Sequence, residues 1–191
     1  KGGLAVGTII VCTIFAAMTG TAAAATVSMG IIALPAMYKR GYDKKIAIGC
    51  IAAGGTMGVL IPPSVLMVLY GVFANESVGK LFAGGVFAGL LLSVIFIAYI
   101  LIRCQIQPDL CPAIPKEERP SWKERFVALK GVILPIIIIV SILGTIFLGI
   151  ATPTEAAAVG CVGSLICAGI RRTLTKKVLF ETTTRTLELS A

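Results

Sequence analysis

The chain has 191 residues, 57% of them hydrophobic and 14% charged, with a formal net charge of +8 and no histidine. An average soluble domain has about 45–50% apolar and about 25% charged residues, so this balance points to lipid as the solvent. The missing histidine removes the usual general base and the commonest transition-metal ligand, and the basic residues sit in short loops without interleaved aromatics, which excludes nucleic acid as a partner.

The first two apolar runs, 4–18 and 22–37, fall short of the roughly 20 residues needed to cross a bilayer. Met18-Thr19-Gly20-Thr21-Ala22 between them is small and polar but uncharged. The pair reads either as two full crossings or as a re-entrant hairpin with its tip near the midplane, and the short runs favour the hairpin. Irregular backbone at that depth is tolerated only against protein or a water-filled cavity. Asp43, in Arg40-Gly41-Tyr42-Asp43, reads as a turn residue.

Gly49 to Tyr70 is apolar but interrupted. Gly54, Gly55 and Gly58 each weaken a helix by about 1 kcal/mol relative to Ala. Pro62 and Pro63 remove two amide donors and clash with the preceding turn. The expectation is a span split into two half-helices around an unwound centre.

Residues 80–102 form a conventional span, with Gly85 and Gly89 spaced for close helix approach. It and the run 131–150 read as plain lipid-facing helices. Cys104 and Cys111 flank a loop but lack zinc-site spacing, and neither a disulfide nor a metal role is expected of them. The loop 103–130 ends in a short surface helix, with Trp122 and Phe126 toward lipid and Lys123 and Arg125 on the polar side. Pro135 falls near the start of the next span, where a helix tolerates it best. Thr152-Pro153-Thr154-Glu155 carries a helix start, with Thr152 as N-cap and Glu155 completing a capping box. The tail 171–191 is amphipathic and reads as interfacial.

Charge sets the topology. Basic clusters fall at Lys39–Lys45, Arg103–Lys130 and Arg171–Lys177, separated each time by two apolar runs. All three therefore lie on one side, which the positive-inside rule makes cytoplasmic. The domain expectation is 1–102 as transport part, 103–130 as cytoplasmic loop, and 131–191 as two scaffold-type spans with the tail. With no initiator Met at Lys1 and a pattern left unfinished at Ala191, the chain reads as part of a longer subunit.

Two segments carry candidate chemistry. At the tip, the hydroxyls of Thr19 and Thr21 and the flexible Gly20 can offer oxygens to an alkali cation, and the following helix points free amides at the midplane. In Gly54-Gly55-Thr56-Met57-Gly58 with Ile61-Pro62-Pro63-Ser64, a break frees carbonyls before it and amides after it. Close packing and a proline kink are the bland readings of each. Two interrupted segments in succession favour a transporter site. Glu155 as a proton relay is the lesser reading beside its capping role.

At these residues the chain resembles the large membrane subunit of tripartite ATP-independent periplasmic (TRAP) transporters, of the DctM type. The resemblance rests on Thr19-Gly20-Thr21 with its Ala-rich sequel, Lys39 to Asp43, Ala53-Gly54-Gly55-Thr56-Met57-Gly58-Val59-Leu60-Ile61-Pro62-Pro63-Ser64, and Ala151-Thr152-Pro153-Thr154-Glu155-Ala156-Ala157-Ala158. Ala22 stands where the family often has a serine, which rules out a side-chain ligand there. The resemblance implies an all-α, ion-transporter-type membrane fold with inverted repeats, of which this chain holds most of the first and the start of the second.

It also implies a sodium-coupled importer of small organic anions such as dicarboxylates, working by an elevator motion in the bacterial inner membrane and not an enzyme. Its partners would be a small membrane subunit, a periplasmic substrate-binding protein and the bilayer itself. On this basis sodium is expected at Thr19, Gly20, Thr21, Gly54, Gly55, Thr56 and Gly58. Substrate is expected at Thr21, Ala22, Pro62, Pro63 and Ser64. The rival class is an ion channel, whose broken helices would line a continuous pore.

Overall fold

The computed structural model describes the backbone of residues 2–112, 122–171 and 173–190, and their side chains except those of 122–132, 185 and 188–190. Helices follow the apolar runs and stop where glycine, proline or a polar turn interrupts them. The order is α1 Gly3–Thr19, α2 Ala22–Lys39, α3 Lys44–Leu60, α4 Val65–Ala74, α5 Val78–Ile106, a 3-10 turn Pro108–Leu110, α6 Trp122–Phe147, α7 Pro153–Ile170 and α8 Lys176–Ser190. No strand occurs among the described residues. Two compact units form, residues 1–127 and 128–191, and each is described alone.

In the first unit α1 and α2 make an antiparallel helical hairpin with only Gly20 and Thr21 between them. Gly20 takes the left-handed conformation, φ 64°, and its amide closes α1 onto Ala16 O at 2.9 Å. At the other end the buried Tyr42 hydroxyl accepts from the Leu4 amide at 3.3 Å, tying the start of α1 to the turn after α2. Asp43 is more than a turn residue: its carboxylate accepts from the amides of Lys45 and Ile46 and so N-caps α3.

The core of this unit repeats at helical spacing. Ala5, Ile9 and Cys12 of α1 meet Met29, Ala33 and Met37 of α2, Ala47, Cys50 and Ile51 of α3, and Ile100 and Cys104 of α5. Residues three and four apart share a helix face, so each helix turns one stripe inward. The outward stripes expose Ile31, Ile32, Phe73 and Phe87, each at least 69% accessible. Apolar exposure on that scale suits a bilayer rather than water.

Three helices are long and apolar enough to cross a membrane among the described residues: Ala22–Lys39, Val78–Ile106 and Pro153–Ile170. The α2 helix thus runs beyond the expected 22–37 and reaches crossing length. The pair α3 and α4 passes the same test together, bent by 41° at the break.

The break is narrower than the sequence suggests. Gly54, Gly55 and Gly58 are helical, and only Ile61–Ser64 leaves the helix. The expectation that Gly54–Gly58 is unwound is therefore corrected. Tertiary contact outweighs weak propensity there, because these glycines admit neighbours that a Cβ would displace.

The expectation of a plain lipid-facing span at 80–102 is also corrected. The α5 helix buries Phe82, Gly85, Gly89 and Ser93. A Cβ at Gly85 would lie 2.5 Å from the Leu60 carbonyl oxygen, and one at Gly89 would lie 2.5 Å from Ile61 Cγ1. The small-residue face thus receives the break in α3–α4. Cys104 and Cys111, unpaired in the sequence reading, form a disulfide with Cα atoms 5.5 Å apart. The 3-10 turn Pro108–Leu110 reverses the chain and brings them within bridging range.

In the second unit α7 opens with the capping box read from sequence. The Thr152 hydroxyl accepts from the Glu155 amide, and the Glu155 carboxylate accepts from the Thr152 amide at 2.7 Å. Gly160 and Gly163 of α7 face Ile142 and Ile138 of α6. Pro135 lies well inside α6 rather than near a helix start, because the helix begins at Trp122. The expected lipid-side and polar-side placement of Trp122, Lys123, Arg125 and Phe126 falls on side chains outside the described residues.

Candidate functional site

The hairpin tip docks on the break. Gly58 is the close-approach point on one side: a Cβ there would lie 2.5 Å from the Thr21 carbonyl oxygen and 2.9 Å from the Ala22 nitrogen. Gly20 is the corresponding point on the other side, where a Cβ would lie 2.5 Å from the Pro63 carbonyl oxygen. The Val65 amide donates to the Gly20 carbonyl at 3.4 Å. Residues 19–22 and 58–65, separate in sequence, thus make one locus.

Two helices start at this locus. Thr21 is the N-cap of α2 and Ser64 the N-cap of α4, both extended, and neither side chain caps its own helix. The first amides of a helix have no intrahelical acceptor and carry the positive end of the helix dipole. The Ser64 side chain is fully buried, and its hydroxyl has no hydrogen-bond partner. A buried hydroxyl without a partner costs about 1–3 kcal/mol, so this arrangement holds a polar group in reserve. Pro62 is buried beside it, and the Pro62–Pro63 peptide is cis.

The same segments also supply oxygens. An α-helical carbonyl accepts from the amide four residues on. For Gly58 and Val59 those positions are Pro62 and Pro63, which have no N–H. The Thr19 hydroxyl has two carbonyl acceptors within reach, Phe15 at 3.2 Å and Thr21 at 3.4 Å. No group of three His, Cys, Asp or Glu suited to a metal occurs among the described residues. A cation held here would therefore rest on backbone and hydroxyl oxygens, which suits a hard alkali ion rather than a transition metal.

The other residues named from sequence are placed differently. Gly54 packs against Cys12 and Ile9, and Gly55 against Thr26. Both act as contact points for α1 and α2 rather than as parts of a break. Thr56 is exposed and returns its hydroxyl to the Ala53 carbonyl at 2.7 Å. The structure thus brings together Thr19, Gly20, Thr21, Ala22, Gly58, Pro62, Pro63 and Ser64, and leaves Gly54, Gly55 and Thr56 in the helical part of α3 that precedes Gly58.

Sequence reasoning missed a second polar junction. The hydroxyls of Thr13 on α1 and Ser93 on α5 lie 3.0 Å apart, and Ser93 reaches Met57 Sδ on α3 at 3.4 Å. Its only signal is two lone hydroxyl residues inside apolar runs, each of which also has its own helix's i−4 carbonyl within reach.

Comparison with known proteins places the chain in a family. Residues 1–191 match the family described as the tripartite ATP-independent periplasmic transporter, DctM component. The C4-dicarboxylate TRAP transporter large permease protein DctM of Vibrio cholerae is 43% identical over 168 residues, 88% of this chain and 36% of that protein. The ectoine TRAP transporter large permease protein TeaC of Halomonas elongata is 39% identical over 158 residues, 83% of this chain and 36% of that protein. The isethionate TRAP transporter permease protein DctMQ of Oleidesulfovibrio alaskensis is 38% identical over 165 residues, 86% of this chain and 25% of that protein. The chain thus spans well under half the length of these relatives. It is an integral membrane protein with a helical hairpin docked on a broken helix, and it belongs to the DctM-component family of TRAP transporter permeases.

Proposed function

We propose that this chain supplies one half of the transport site of a sodium-coupled importer of small organic anions. The observation that carries the reading is the docking of Gly20–Ala22 onto Gly58–Val65. Two helix N-termini and the unpartnered Ser64 hydroxyl meet there, a set of donors suited to a carboxylate. Substrate is assigned to Thr21, Ala22 and Pro62–Ser64. Sodium is assigned to oxygens of Thr19–Thr21 together with the Gly58 and Val59 carbonyls, in place of Gly54–Thr56.

The names of the relatives span C4-dicarboxylate, ectoine and isethionate, so they support transport of small organic solutes broadly. The preference for an anion rests on the donors of this site. The partners proposed are a periplasmic binding protein and a small membrane subunit, the latter in keeping with the name DctMQ of one relative. The hairpin is proposed to be re-entrant and to move with the broken helix as one body, as an elevator requires.

The test is uptake by the complete transporter in proteoliposomes, across a panel of carboxylates, with and without sodium and with and without the binding protein. Uptake requiring both is expected. Uptake that persists without sodium under a proton gradient would remove sodium coupling. Large currents independent of the binding protein would favour a channel instead.

A further inference from the structure

A crevice of about 770 Å³ opens in the first unit, away from the hairpin tip, among α1, α3 and α5. Ile46, Ile95, Phe96 and Ile100 form apolar wall, and Lys45, Arg103, Gln107 and Asp43 line its polar mouth. Between Ile95 and Arg103 the α5 wall is about 12 Å long at about 1.5 Å per residue. The crevice is thus a slot with an apolar body and a charged entrance.

The charge at the entrance is unbalanced. The Asp43 carboxylate accepts from the Lys45 and Ile46 amides through Oδ1 at 2.9 and 3.3 Å, which caps α3. Lys45 is exposed and Arg103 half-exposed, and they come from two of the three basic clusters assigned to the cytoplasmic side. The mouth therefore carries two cationic side chains against one carboxylate, an excess of positive charge.

We infer that this crevice binds an anionic phospholipid of the cytoplasmic leaflet, its phosphate between Lys45 and Arg103 and an acyl chain along Ile46, Ile95, Phe96 and Ile100. Basic pockets between transmembrane helices on the cytoplasmic side select anionic headgroups. The apolar length below the mouth argues for a lipid over a free anion, which would leave that wall unfilled. Tyr99 is exposed at the edge of the slot and provides a position for a probe.

The experiment uses the complete transporter in detergent. Native mass spectrometry counts lipid retained after incubation with phosphatidylglycerol or phosphatidylcholine of the same acyl chains. Phosphatidylglycerol is expected to be retained in preference. The double variant Lys45→Gln/Arg103→Gln is expected to cut that preference about thirtyfold, the scale of two basic groups near an anionic surface. Lys45→Arg/Arg103→Lys should restore it, and inorganic phosphate should not compete. A photo-reactive amino acid at position 99 should cross-link to lipid in the otherwise unaltered protein. Equal retention of the two lipids, competition by phosphate, or cross-linking to a polypeptide segment in place of lipid would overturn the proposal.

Discussion

The amide of Val65 donates to the carbonyl of Gly20 at 3.4 Å, joining the first residue of α4 to the connection between α1 and α2. This bond forms only because Gly20 adopts φ 64° and presents no Cβ to the Pro63 carbonyl. An L-residue in that conformation costs about 1–2 kcal/mol before any overlap is counted. Gly20→Ala is therefore expected to undock the tip and lower uptake by about tenfold or more, since about 1.4 kcal/mol corresponds to a factor of ten. Gly84→Ala is the control, because a Cβ there meets nothing within 4 Å. Uptake assays on both variants check the contrast, and equal effects would sever the tip geometry from transport.

Ser64 separates function from stability. Its hydroxyl is buried without a partner, so removing it takes away an uncompensated polar group. Ser64→Ala is expected to leave thermal stability unchanged or raise it slightly, while weakening substrate affinity in uptake. A variant that loses stability without any change in the KM of uptake would show that Ser64 belongs to the packing alone.

The interrupted segments were legible in the sequence because proline and glycine act locally. Pro62 and Pro63 lack amide hydrogens wherever they stand, and the break falls at them. Gly54 and Gly55 were misleading for the opposite reason. Their low helix propensity suggests unwinding, yet α3 stays helical because Cys12 and Thr26 occupy the space a Cβ would take. Such a contact between distant segments leaves no local mark. The same holds for Gly85 and Gly89: their spacing announces close approach, but not that the partner is the break itself. The Cys104–Cys111 bridge depends on a three-residue 3-10 turn, which periodicity does not reveal.

Thr13 and Ser93 join α1 to α5 through hydroxyls 3.0 Å apart, with Met57 Sδ of α3 at 3.4 Å from Ser93. A hydrogen bond of this kind contributes about 0.5–1.5 kcal/mol net. Ser93→Ala is expected to lower the stability of the purified protein by about that amount, and Thr13→Ala to add little once Ser93 is gone. A double-mutant cycle read by thermal unfolding checks the coupling. Additive effects would show that the two hydroxyls act separately.

Tyr42 gives a pH dependence with a defined sign. Burial pushes its phenol above the usual value, against the opposing pull of the Leu4 and Ala5 amides. The fold therefore favours the neutral phenol. Its contribution is fully present below the unfolded value of about 10 and is lost as pH rises through the folded one. Stability should fall above about pH 10 in the parent and fall less steeply in Tyr42→Phe. At neutral pH the same variant loses the acceptor for the Leu4 amide, at a cost of about 1 kcal/mol. Parallel pH profiles of the two proteins would rule out the assignment.

Glu155 lies at a membrane boundary and invites a role in proton relay, but its geometry is that of a cap. Its carboxylate accepts from the Thr152 amide at 2.7 Å and the Thr152 hydroxyl at 2.8 Å, while its own amide donates back to that hydroxyl at 3.4 Å. Glutamine also completes a capping box, because its side-chain oxygen can accept from the same amide. Glu155→Gln is therefore expected to preserve both uptake and thermal stability. Thr152→Ala removes the hydroxyl that α7 uses at its start and should cost about 1 kcal/mol. A proton relay makes the reverse forecast, since an amide in place of the carboxylate stops proton exchange while the helix stays capped. Measuring uptake against pH for Glu155→Gln decides between them: an unaltered profile supports the cap, and loss of activity with retained stability supports the relay.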